Sequence, residues 1–143
     1  MYMSNADNVK RALLAGVDAG LTAAAERYTQ QVRQRLFRGY TTGNFAHQMR
    51  GVAGRVMYTA PHDVPGGRAI TVGTSTTAVP YELYWELGHQ SAWTRRYERV
   101  EIWRPLLEQN RDLLTRIIAR NIERRVAGAG SAVRPTFTMR GAR

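Results

Sequence analysis

From position 6 to position 38 the sequence reads as one helix, and that feature constrains everything that follows. Val9, Leu13, Val17, Leu21, Ala24, Tyr28, Val32 and Leu36 recur at steps of three and four, the spacing that lines one face of a helix. A helix of some thirty residues is about 45 Å long, so its apolar stripe needs a long partner surface. Asn5 or Ser4 supplies an N-cap. Alanines at 12, 15, 19, 23, 24 and 25 raise helix propensity and let another element come close. Gly16 and Gly20 weaken the first half and predict a bend there, and Gly39 marks the stop.

A second helix is expected over 104–126. Pro105 fits its first turn, where the missing N–H matters least. Leu107, Leu114, Ile118 and Ile122 form its stripe, broadened by Leu106, Leu113 and Ile117. Glu108 stands near its start and Arg116, Arg120, Arg124 and Arg125 toward its end, as the helix dipole favours. Gly128 is expected to close it.

Strands fill the interval. Val52 to Ala60 alternates, with Val56, Tyr58 and Ala60 on one face and Arg55, Met57 and Thr59 on the other. Pro61 to Gly67 is dense in turn residues, and Arg68 to Thr74 returns, so a β-hairpin with a long tip is expected. Pro80 opens a short helix or turn carrying Tyr81, Tyr84, Trp85 and Leu87, and Tyr97 to Trp103 alternates as a third strand. The expected fold is α+β: a long N-terminal helix and a C-terminal helix packed on one face of a small antiparallel β-sheet with a long hairpin. Residues 1–128 form the single domain, and 129–143 a basic C-terminal arm or disordered tail.

Composition narrows the function. The formal net charge is +10 and Lys10 is the only lysine, so the positive side is nearly all arginine. Such a balance favours a polyanion or an acidic protein surface. No cysteine is present, which removes disulfides, thiolate catalysis and cysteine-held metals. No apolar run approaches the ~18–20 residues of a membrane span, and Met1 to Asp7 lacks the basic-then-apolar pattern of a signal peptide.

Catalytic patterns are weak. Glu86-Leu87-Gly88-His89 has the Glu-x-x-His spacing of di-iron bundles, but such sites need a second copy and two more glutamates. The serines sit in loop or terminal contexts, with no nucleophile elbow, and Gly66-Gly67 lacks the residues of a phosphate loop. No catalytic residue, metal or cofactor is expected, and the chain is not expected to be an enzyme. His62-Asp63 at the hairpin tip reads as a contact point or as a plain turn.

The aromatic run is different in kind. Tyr81, Tyr84, Trp85, Trp93, Tyr97 and Trp103 are interleaved with Arg95, Arg96, Arg99 and Arg104. At least half of these rings are expected in the core. The remainder, with Glu86, form a protein contact of the kind enriched in Trp, Tyr and Arg, in preference to a base-stacking platform.

Three motifs in order carry a family resemblance. Thr42-Gly43-Asn44-Phe45 follows the long helix; Val72-Gly73-Thr74 ends a strand ahead of Tyr81-Glu82-Leu83-Tyr84-Trp85-Glu86-Leu87-Gly88; Arg104-Pro105-Leu106-Leu107-Glu108-Gln109-Asn110 opens the last helix. Across residues 6–126 this order resembles the small tail-completion or head–tail joining (neck, minor tail) proteins of long-tailed siphophages. The segment from His89 to Trp103 and the arm after Val126 depart from that pattern. The resemblance implies a structural protein of the virion, assembled in the cytoplasm of the bacterial host. It would form a closed homo-oligomeric ring, of six subunits, at the head–tail junction, between neighbouring neck and tail-tube proteins. DNA would pass through the lumen without sequence-specific contact. A basic nucleic-acid-binding module is the alternative.

The arm itself alternates: Val133, Pro135, Phe137 and Met139 against Arg134, Thr136, Thr138 and Arg140. That period predicts either a strand-like arm anchored by Phe137 on a neighbour or a sheet edge, or a solvated basic tail.

Overall fold

The computed structural model describes residues 5–38, 52–74, 89–90, 97–98 and 102–131. Two long helices, α1 (Asn5–Arg38) and α2 (Trp103–Ser131), pack against each other and against small two-stranded antiparallel ladders, an α+β arrangement. Between them lie β1 (Val56–Tyr58), β2 (His62–Val64), β3 (Gly67–Ala69), β4 (Val72–Thr74), β5 (His89–Gln90) and β6 (Tyr97–Glu98).

The helices run antiparallel, since Gly16 lies against Ile122, Gly20 against Ile118, and Gln31 Nε2 donates to Asn110 Oδ1 at 2.8 Å. Gly16 and Gly20 do not break α1, contrary to the bend their helix propensity predicts. They are where α2 comes closest: a Cβ on either would stand 2.8 Å from the Cα of Ile122 or Ile118. Glycine at steps of four removes the side-chain layer that normally separates two helix backbones. Gly128 does not end α2 either, so the expected boundary at residue 128 moves to Ser131. An isolated helical glycine costs about 1 kcal/mol, which a long helix tolerates.

The core sits at one end of the helix pair. Tyr28, Val32 and Leu36 of α1 are buried with Val52, Ala53, Val56, Ile102 and Leu114. Val32 and Val56 are wholly enclosed; full burial of such a side chain contributes about 1.5–3 kcal/mol. Polar bonds fasten the surrounding elements: Arg33 Nη2 donates to the Val56 carbonyl, and Tyr28 Oη to the Trp103 carbonyl. The α1 stripe is covered over only part of its length, because Val9 and Leu13 remain 39% and 44% exposed.

The hairpin departs from its expected form. Its Pro61–Gly67 tip is not a long loop but more ladder: β2 pairs with β3, in register His62 with Ala69, Asp63 with Arg68 and Val64 with Gly67. The reversal falls at Pro65-Gly66, where Gly66 has φ of 86°, as a Pro-Gly turn with left-handed second residue requires. Nearer the helices β1 pairs with β4, Val56 opposite Thr74 and Tyr58 opposite Val72. Thr59 N–H reaches the Thr71 carbonyl at 2.9 Å. Ala60 and Pro61 therefore face the single residue Ile70, a one-residue bulge that re-aims the tip. The simple alternation expected over 52–60 gives way accordingly: Val52 and Ala53 are helical, and Tyr58 is 38% exposed while Val56 is buried. The expected third strand is short: Tyr97–Glu98 pairs with His89–Gln90, and Trp103 belongs to α2.

Candidate interface surfaces

Where the hairpin crosses the helix pair, a groove of about 280 Å³ remains. Leu21 and Tyr28 of α1, Leu107, Leu114 and Ile118 of α2, and Val72 of β4 line it, with Arg111 at its side. Leu107 is 49% exposed, and Leu13 and Leu14 lie uncovered farther along α1. Large aliphatic side chains in a shared concavity mark a place where another apolar surface fits.

Beside the groove one arginine fastens the hairpin tip to α1. Arg68 grips Asp18 with two bonds, Nε to Oδ1 at 2.9 Å and Nη2 to Oδ2 at 2.7 Å. Its Nη1 donates to Asp63 Oδ1 at 2.8 Å. The hydrogen bond to Asp18, then that to Asp63, push the guanidinium pKa above its already high ordinary value, so Arg68 stays charged at any pH the fold meets. Asp63 is 86% exposed at its side chain while Arg68 is 25% exposed, making Asp18 the partner that holds the tip down. A forked guanidinium facing two carboxylates fixes direction as well as distance.

Of the sequence-predicted contact residues, the structure brings His62 and Asp63 to this tip. The His62 Nδ1 lies 3.2 Å from the Ala60 carbonyl, a bond that requires the proton on Nδ1, and all of β2 is exposed. Tyr81, Tyr84, Trp85, Glu86, Trp93, Arg95, Arg96, Arg99 and Phe137 lie outside the described residues. Trp103, from the same aromatic run, is half-buried against Tyr28, ring centroids 6.3 Å apart and tilted by 58°. Asp18, Arg68 and the groove leucines escaped the sequence reading. The available signal was Asp18 itself, a carboxylate set among apolar helix positions.

Charge lies on a separate row of α2. Arg116, Arg120 and Arg124 recur at steps of four and are all exposed. Among the described residues no group of three His, Cys, Asp or Glu is placed to hold a metal ion, and no helix is long and apolar enough to cross a membrane. Comparison with known proteins finds no match: no family model, curated protein or solved structure is significantly similar to the chain.

Proposed function

We propose that the chain is a structural virion protein of a tailed phage. In this reading it forms a closed ring at the neck or head-proximal end of the tail, joining the capsid connector to the tail tube. The supporting observation is the uncovered apolar surface, the groove at Leu107 and Ile118 with Leu13 and Leu14 beyond it. Surface of this kind is a subunit contact in search of its counterpart. The three ordered motifs supply the family. A ring subunit needs two different surfaces that meet head to tail and close by rotation, and the groove and the projecting His62–Asp63 hairpin tip are two such surfaces. The chain works by assembly and carries out no reaction, its partners being copies of itself and the proteins flanking it, with DNA passing through the lumen.

The decisive experiment is reconstruction of intact particles. The expected result is a rotationally symmetric ring of this protein, six-fold, at the head–tail junction. Its presence only at the distal tail tip, or its absence from particles, rejects the reading.

The exposed row Arg116, Arg120 and Arg124 favours a second reading, a basic nucleic-acid-binding module. That reading requires DNA affinity that falls steeply with salt through counterion release. The ring reading expects at most weak DNA binding at ~0.15 M salt.

A further inference from the structure

The groove does not end at Ile118. On α1 the row Leu21, Val17, Leu13 and Val9 continues it in steps of four, and on α2 the row Ile118, Ile122 and Val126 does the same. Val17, Ile122 and Val126 are half-buried, while Leu13 and Val9 are exposed. An apolar strip thus runs from the groove to the pole where α2 finishes at Ser131.

We propose that residues 132–143 fold back along this strip of their own chain, laying Val133, Pro135, Phe137 and Met139 on it. Length and period carry the assignment. The level of Ile118 lies thirteen helical residues back from Ser131, about 20 Å at 1.5 Å per residue. Extended backbone covers about 3.3 Å per residue. After about two residues spent on the reversal, Phe137 comes level with Ile122 and Met139 with Ile118, at the mouth of the groove. The alternation puts Arg134, Thr136, Thr138 and Arg140 on the opposite side, toward water. Pro135 is compatible because a helix surface offers no ladder bond for its missing N–H to leave unmade. This fold-back stands independently of the ring reading.

The chain has no cysteine, so paired cysteines report the geometry directly in the full-length protein. Pro135 comes level with Leu13, and Leu13→Cys with Pro135→Cys is expected to oxidise to an intrachain disulfide at micromolar protein. Ala15→Cys with Pro135→Cys, exposed on a different face of α1, is the control and should stay reduced. Hydrogen exchange of amides 133–140 should be at least about tenfold slower than in the free peptide of that sequence, and Phe137→Asp should abolish the difference. Equal crosslinking of the two pairs overturns the proposal, as does crosslinking only between chains, or exchange at the free-peptide rate.

Discussion

Gly20 and Ile118 meet backbone to backbone: a Cβ on Gly20 would stand 2.8 Å from the Ile118 Cα and 2.9 Å from its carbonyl oxygen. Neither atom belongs to a side chain that can swing aside. Alanine at position 20 is therefore expected to destabilise the protein, by about 1–3 kcal/mol of overpacking less about 1 kcal/mol of improved helix propensity. Gly128→Ala provides the opposite sign, since nothing lies within 4 Å of its position and the propensity gain of about 1 kcal/mol is uncompensated. Thermal melts of the two variants should move apart, Gly20→Ala down and Gly128→Ala up.

Ile118 and Leu107 both line the groove yet differ in what they hold up. Ile118 packs against the core and touches α1 at Gly20, so Ile118→Asp should cost several kcal/mol, as unpaired buried charge does. Leu107 is 49% exposed; Leu107→Asp should leave the melting temperature within a few degrees of wild type. If the groove is a subunit contact, the same variant should be lost from particles. Normal incorporation of folded Leu107→Asp protein would remove the groove from the assembly interface.

Arg68 is expected to govern the hairpin tip and little else. Arg68→Ala leaves Asp18 and Asp63 without their common cation, and hydrogen exchange should speed up across residues 62–69 while the α1 and α2 amides keep their protection. Arg68→Lys should fail to restore the tip, because an ammonium cannot make the two-pronged contact with Asp18. Because Arg68 does not titrate, acid weakens this link only by protonating the carboxylates. Tip exchange in wild type should accordingly be insensitive to pH above neutrality, once the intrinsic base catalysis of exchange is divided out.

Both helices were legible because a 3.6-residue period repeats over many residues, so each apolar position reinforces the next. Their extents followed from the same pattern, from the N-cap at Ser4 or Asn5 and from Pro105. What the glycines do was not legible. Locally Gly16, Gly20 and Gly128 all read as helix weakeners, and only the distant residues Ile122 and Ile118 give the first two their purpose. Pro65-Gly66 announced a turn, but the polar residues around it concealed a ladder whose strands are exposed and so carry no hydrophobic period. The Asp18–Arg68 pair joins positions fifty residues apart, and no local pattern encodes such a distance. The groove is a joint property of α1, α2 and β4, visible only once they are packed.

The antiparallel pairing of α1 with α2 also gives the molecule a polarity. Gly16 lies level with Ile122; Asn5 stands eleven residues beyond the one and Ser131 nine beyond the other, about 16 Å and 14 Å along the axes. The start of α1 and the finish of α2 thus emerge side by side at one pole, while the buried core and the entrance to α2 occupy the other. A bulky domain fused ahead of Asn5 or behind Ser131 would crowd the same pole and spare the opposite one. Two such fusions, one at each end, should therefore block the same neighbour in any assembly the chain enters.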